Sequence, residues 1–335
     1  VKLVWSTREL VLREPFRISR SVMAGRQAVE LTLEHEGRLG HGEVVTSEYF
    51  RLDVNGIAEA LTGWQGAVEA AATPEQLLDA LPHGPPGVRA AADAAVHDLL
   101  GKRAGLPTHA LLGSPEWTAV PTAYTIGLSS PQDAATKAEA LVAKGFSVLK
   151  IKAGDEHDLA RLTAVRAAAP EARLLLDPNG AWTPEHTVRF LERTADLLLD
   201  AVEQPIAPGT PDRLAWVGAR SPVPLIADED ASTLDDVRGL VGAVDGINVK
   251  LAKCGGLRAA REIVTVARGA GMDVMLGCLV ASSLGIAPAV QLTPHARWVD
   301  LDGHLLLARD PWTGLGGEDG TLRLSGRAGL GVVRR

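Results

Sequence analysis

The chain has 335 residues, 46% of them hydrophobic and 22% charged, and a formal net charge of −7. That is enough length for a barrel-sized unit plus a smaller domain, and enough apolar material for a sizeable core rather than disorder. An acidic balance with no basic block argues against nucleic acid, and no apolar run is long enough to span a bilayer.

Lys2, Arg8, Glu9, Arg13 and Glu14 interrupt the first sixteen residues, so no signal-peptide core is expected there. Cys254 and Cys278 have neither metal-ligand spacing nor the pattern of a disulfide framework. Buried thiols in a reducing compartment, and hence a cytoplasmic protein, are the expectation.

Residues 1 to about 50 read as antiparallel strands: Leu3 to Val11, then Ala28 to Leu33, then Leu39 to Val45 after a turn at Glu36-Gly37. A polar loop from Arg17 to Arg26 is expected between the first two, and its arginines, Arg17, Arg20 and Arg26, invite an anion. From about 54 to 104 the pattern is helical, clearest over the Ala-rich Val88 to Arg103, and Gly105-Leu106-Pro107 stops it.

From about Val120 strands and helices alternate, the signature of a parallel sheet. Thr122 to Ile126 is a strand, and Ser130-Pro131 opens a helix that Gly145 ends. Val148-Leu149-Lys150-Ile151-Lys152 follows as a strand. Later strands end at Asp177, Glu203, Asp228 and Lys250, with helices over Leu159 to Ala168, after Thr183-Pro184, near Thr233 to Val241 and over Leu257 to Arg268. Val274 to Leu276 and Trp298 to Leu301 are the last strands. Charged strand ends recurring at about 25 residues match the repeat of a (β/α) barrel, and no glycine-rich phosphate fingerprint supports a dinucleotide fold.

The chemistry lies at those strand ends. Side chains alternate along a strand, so Lys150 and Lys152 share one face. Two ammonium groups there are costly to bury unless anions stand opposite. One carboxylate at a strand end is most often a helix cap or an ion-pair partner. Asp177, Glu203 and Asp228 on successive strands, at the barrel end where active sites lie, instead predict a site for a divalent cation. Hard oxygen ligands without His or Cys suit Mg²⁺ and disfavour zinc. Asn179 would point the same way if the extended chain continued, and Asp230 is expected to face inward behind the ligands.

Lys150, Lys152 and Lys250 read as acid–base groups for a carbon acid, with a Schiff-base lysine as the competing reading. Ammonium groups about 6 Å apart repel by roughly 3 kcal/mol at an effective dielectric near 20, so Lys150 is expected to lower the pKa of Lys152. Asp300 and Asp302 form an Asp-x-Asp pair on one face of the last strand, suited to a cationic substrate group. His295 and His304 are expected to be structural.

These motifs resemble the enolase superfamily, in its muconate-lactonizing-enzyme-like subgroup. Lys150-Ile151-Lys152-Ala153-Gly154 resembles the Lys-x-Lys signature. Val202-Glu203-Gln204-Pro205, Ala227-Asp228-Glu229 and Lys250-Leu251-Ala252-Lys253-Cys254-Gly255-Gly256 are similar to the motifs of later strands. Gly40-His41-Gly42-Glu43, Asp98-Leu99-Leu100-Gly101-Lys102 and Gly329-Leu330-Gly331-Val332 extend the likeness over nearly the whole chain. Val299-Asp300-Leu301-Asp302-Gly303 is similar to the dipeptide epimerases. Three departures stand out: Asp177-Pro178-Asn179-Gly180-Ala181-Trp182 in place of Asp-Ala-Asn-Gln-Gly-Trp, Asp230 in place of serine, and no glutamate in Cys278-Leu279-Val280-Ala281.

The resemblance implies a modified (β/α)7β TIM-type barrel over 118–305, an α+β N-terminal capping domain over 1–117, and a tail over 306–335 that completes the cap. It implies an Mg²⁺-dependent isomerase that inverts the α-carbon of a dipeptide's C-terminal residue by two-base 1,1-proton transfer through an enolate. Lys152 and Lys250 would be the acid–base pair. Asp177, Glu203 and Asp228 would be the metal ligands, with Asn179 and Asp230 behind them. Lys150, Thr125, Asp300, Asp302 and Arg20 would be the substrate contacts. L-Ala-D/L-Glu is the favoured substrate because Arg20 falls where such enzymes meet glutamate, with Arg26 the alternative residue to face the substrate side chain. N-acylamino acid racemase, o-succinylbenzoate synthase and muconate cycloisomerase activities are same-fold alternatives, and a non-catalytic metal-binding barrel is one of a different class. The expected partner is a small-molecule dipeptide, in a homo-oligomer.

Overall fold

The computed structural model describes residues 1–335. Strands β1 (Lys2–Ile18), β2 (Ser21–His35) and β3 (Arg38–Val45) form an antiparallel sheet in that order. The β2–β3 turn is the two-residue Glu36-Gly37, both at positive φ, the twist a tight hairpin favours. The loop expected from Arg17 to Arg26 is instead the tip of a long hairpin, with Arg17 opposite Val22 and Ile18 opposite Ser21. Arginine and serine make the segment polar, but Ile18 and Val22 sustain extended backbone, so only Ser19-Arg20 turn.

Helices over Val54–Ala70, Pro74–Asp79 and Pro86–Ala104 cover the sheet, dividing what read as one helical stretch. The third lies directly on β3. A Cβ on Gly40 would stand 2.1 Å from the Ala95 carbonyl oxygen, and one on Gly42 would stand 1.9 Å from that of Ala91. Leu31, Leu33, Ile57, Leu61, Val88, Val96 and Leu99 close a core separate from the larger one beyond it.

After β4 (Ala119–Pro121), eight parallel strands alternate with helices: β5 (Tyr124–Ile126), β6 (Val148–Lys152), β7 (Arg173–Asp177), β8 (Leu199–Glu203), β9 (Leu225–Ala227), β10 (Gly246–Val249), β11 (Asp273–Gly277) and β12 (Trp298–Asp300). The Ala123 amide donates to the Val299 carbonyl at 2.8 Å and the Leu301 amide to Thr122 Oγ1 at 3.0 Å, closing the sheet into a barrel. Ala123, Val148, Leu175, Ala201, Ile226, Met275 and Trp298 pack together inside it. Two residues further along each of these strands come Thr125, Lys150, Asp177, Glu203, Asp228, Gly277 and Asp300. The alternation that places an apolar layer below therefore places a charged layer above it, at the C-terminal end of the strands.

Helices Pro211–Gly218 and Ser283–Val290 were not legible in the sequence. The second is buried from Ser283 to Val290 except at Gly285, so it shows no amphipathic period. The tail adds β13 (Trp312–Thr313), β14 (Thr321–Arg323) and β15 (Val333–Arg334). β14 pairs with β4, and β13 with β15. The Leu330 amide donates to Asp98 at 2.8 Å, and Arg334 pairs with Glu30 at 2.5 Å. No helix is long and apolar enough to cross a membrane.

Candidate active site

The upper layer opens into a cavity of about 970 Å³ whose wall includes Thr125, Lys150, Lys152, Asn179, Asp228, Lys250, Asp300 and Asp302. The hairpin tip and the segment from Thr46 to Asp53 cover it. Lys150 is 2% exposed and Lys152 8%. Lys150 Nζ lies 2.7 Å from Asp300 Oδ2, 2.6 Å from Glu203 Oε2 and 3.0 Å from Asp177 Oδ2. Lys152 Nζ donates to Asp177 Oδ2 at 2.6 Å, and Lys250 Nζ to Asp228 Oδ2 at 2.6 Å. In an eight-stranded ring β6 and β10 are four strands apart, so Lys152 and Lys250 enter from opposite sides.

Asp177 and Glu203 lie beneath the lysines rather than on the cavity wall. The three carboxylates form no acid-only cluster, because ammonium groups stand among them. Burial and then the neighbouring Asp177 push Glu203 up to about 7. Asn179 Oδ1 is buried without a hydrogen bond, and Glu203 Oε2 has only the Lys150 ammonium against it. This excess of hard, mutually repelling oxygens fits a hard divalent cation, provided Lys150 gives up Asp177 and Glu203 to it.

Two of the lysines are held charged by the carboxylates around them. Burial opposes the charge on Lys150, but Asp300, Glu203 and Asp177 push its pKa well above the usual value. Lys250 is raised too, burial being outweighed by Asp228 and Glu203. The carboxylates crowding Lys150 and Lys250 decide the sign. Burial favours the neutral form of Asp177 and Asp228. Lys152 and Lys150 nonetheless hold Asp177 well below the carboxylate range, and Lys250 and Lys253 do the same for Asp228.

At the other side of the ring, the Thr125 amide donates to Asp302 Oδ2 at 2.7 Å, and its hydroxyl stands 3.5 Å from Asp300 Oδ1. Burial and the adjacent Asp300 raise Asp302 to about 6.

Two supporting candidates sit differently from expectation. Asn179 has φ 50°, so the extended chain stops at Pro178; its carbonyl accepts from Arg20 at 3.4 Å. Asp230 turns away from the cavity to Gln204 Nε2 at 2.8 Å and the Gly209 amide at 2.5 Å. Gln204, itself at φ 34°, accepts from the Asp228 amide at 2.9 Å, so Asp230 acts on that strand end through Gln204. Arg20 lies over the Tyr49 ring, and its Nη2 donates to Glu229 Oε1 at 2.7 Å. His304 is buried against the Gly316 carbonyl, and His295 meets Ser114.

Three residues went unassigned in the sequence. Lys253 Nζ stands 2.7 Å from Asp228 Oδ1, Asn248 Nδ2 donates to Glu203 Oε1 at 2.7 Å, and Glu229 takes Arg20. Lys253 was findable: the helical turn Leu251–Cys254 returns a residue three positions on to the face of Lys250.

Residues 133–334 match the family model described as Enolase C-terminal domain-like. An L-Ala-D/L-Glu epimerase of Bacteroides thetaiotaomicron is 31% identical over 100% of this chain and 88% of its own length. A hydrophobic dipeptide epimerase of Roseobacter litoralis is 33% identical over 99% of both. Among solved structures, the dipeptide epimerase of Enterococcus faecalis complexed with Mg and the dipeptide L-Leu-L-Tyr superposes with a TM-score of 0.94 at 32% identity, over 99% of each chain. With this fold, this ring of charge and these relatives, the chain belongs to the enolase superfamily, in its dipeptide-epimerase branch.

Proposed function

We propose that the protein is an isomerase that epimerises the C-terminal residue of a dipeptide by 1,1-proton transfer. The observation that carries this reading is the entry of Lys152 and Lys250 from opposite sides of one cavity. One lysine removes the α-proton as a base, and the other, protonated, delivers a proton to the opposite face. Asp177, Glu203 and Asp228 would hold a magnesium ion, which when bound supplies Lewis-acid anchoring of the substrate carboxylate. Lys150, kept charged by its carboxylates, offers an ammonium to the enolate oxygens. Asp300 and Asp302 hold the substrate's α-ammonium, and Thr125 holds Asp302 in place. The hairpin tip and the 46–53 segment exclude water.

The substrate is a small molecule, and alanyl-glutamate is the first dipeptide to try. N-acylamino acids, succinylbenzoate precursors and muconate carry no ammonium, and the acidic pair disfavours them. We keep the division into cap 1–117, barrel 118–305 and closing segment 306–335, working as a cytoplasmic homo-oligomer; two free cysteines support a reducing compartment. The test is deuterium wash-in at the α-carbon in deuterated water with Mg²⁺. Wild type should exchange and invert the dipeptide, and Lys152→Ala should lose about 10²-fold or more. Full epimerisation by Lys152→Ala would refute the assignment.

A further inference from the structure

Three arginines, Arg20, Arg26 and Arg51, line the cavity outside the charged ring; Arg51 is exposed, and the other two differ in one respect. Arg20 has a carboxylate partner in Glu229. Arg26, half-buried on β2 opposite Leu10, has none within ion-pair reach. Its Nε donates to Met23 Sδ at 3.0 Å and its Nη1 to the Thr46 carbonyl, and Nη2 has no protein acceptor. Burial pushes its pKa down; the Cys278 thiol near it is neutral, its own pKa raised by burial, and Glu48 is exposed. A guanidinium withdrawn from water without an anion is a group that an incoming carboxylate relieves.

The topology says which end of a substrate it meets. Arg20 reaches Asn179 and Glu229, past the ends of β7 and β9, on the side of Asp177, Glu203 and Asp228. Arg26 sits by Cys278, just past β11, and Cys278 Sγ lies 3.2 Å from where Gly303 would carry a Cβ. Gly303 follows Asp302, so Arg26 overlooks the ammonium side of the ring.

We propose that Arg26 is a specificity subsite for a carboxylate on the first residue of the dipeptide, an aspartyl or glutamyl side chain one or two methylenes from the ammonium held at Asp300 and Asp302. This rests on the dipeptide reading above. Arg20, already paired, does not supply that subsite.

The test compares wash-in kcat/KM of L-Glu-L-Leu with L-Gln-L-Leu and L-Ala-L-Leu on the full chain with Mg²⁺. The glutamyl substrate should lead its amide isostere by about tenfold or more in wild type. Arg26→Gln should bring that ratio to about one. Arg26→Lys should keep part of it, because the charge remains while the fork is lost. Arg20→Gln should leave it standing. A wild-type ratio near one, or a ratio untouched by Arg26→Gln, overturns the subsite and leaves the epimerase reading intact. Failure of all three dipeptides to exchange overturns the subsite, and failure of alanyl-glutamate as well overturns the epimerase reading.

Discussion

Replacing Asp302 with asparagine removes the one acid at the amine end that no lysine already engages. Asp300 Oδ2 sits 2.7 Å from Lys150 Nζ, whereas Asp302 accepts from the Thr125 amide. An asparagine carbonyl can accept that same bond, so the fold should survive. Burial and Asp300 lift Asp302 to about 6 from 3.8. At about 1.4 kcal/mol per unit, ionisation is held back by about 3 kcal/mol, which a substrate ammonium in the same place would offset. Loss of that charge should cost dipeptides about 2–3 kcal/mol, or 30- to 150-fold in kcat/KM. The pH sign follows. Asp302 must be ionised to hold an ammonium, so kcat/KM should climb as pH rises through about 6, and be about tenfold lower near pH 5 than near pH 7. Deuterium wash-in on a dipeptide and on its N-acetyl amino acid counterpart measures both effects. Equal losses on the two substrates in Asp302→Asn, or a pH step that outlives the substitution, would refute the reasoning.

Mg²⁺ should raise the melting temperature of the wild type, by the equivalent of about 2.7 kcal/mol at a hundredfold excess over Kd, and Glu203→Gln should lose most of that shift. Scanning fluorimetry with and without chelator reads it, and equal shifts in both proteins would count against Glu203 as a ligand. Gly42→Ala puts a methyl 1.9 Å from the Ala91 carbonyl, backbone against backbone, and should cost about 3 kcal/mol by urea denaturation. A loss under about 1 kcal/mol would contradict the packing of β3 on helix Pro86–Ala104. Glu43 is pushed up to about 7 by burial, partly offset by its hydrogen bonds with Ser282. Its folded pKa exceeds the unfolded one, so its contribution is complete below about pH 4.5 and lost as pH rises through about 7. The stability of wild type relative to Glu43→Gln should therefore fall between about pH 5 and pH 8; a constant difference in melting temperature would oppose this.

Alternation made most of the barrel legible. Lys150 and Lys152 two apart, and Asp177, Glu203 and Asp228 each two past an inward apolar residue, locate one charged layer. Two helix starts were legible at a hydroxyl before proline: Ser130 and Thr183 both accept from the backbone of the first turn, whereas Thr210 before Pro211 makes no such bond. Two kinds of feature escaped. Positive φ at Gln204 is announced by nothing in Gln204-Pro205, whereas Pro178-Asn179-Gly180 carries a turn signal, closed locally by the Asn179 amide on Asp177 Oδ1, that the extended reading passed over. The partner of each ionic group was also hidden, because Arg20 meets Glu229 and Lys253 meets Asp228 only once distant segments converge.

The join between β12 and β5 has few regular rungs, and one of them is the side chain of Asp302 on the Thr125 amide. The hoop is thus riveted by the carboxylate proposed to greet the substrate's amine. Occupancy of that end should tighten the ring, and slackening of the ring should blur the choice of substrate before it disarms the two lysines across the way.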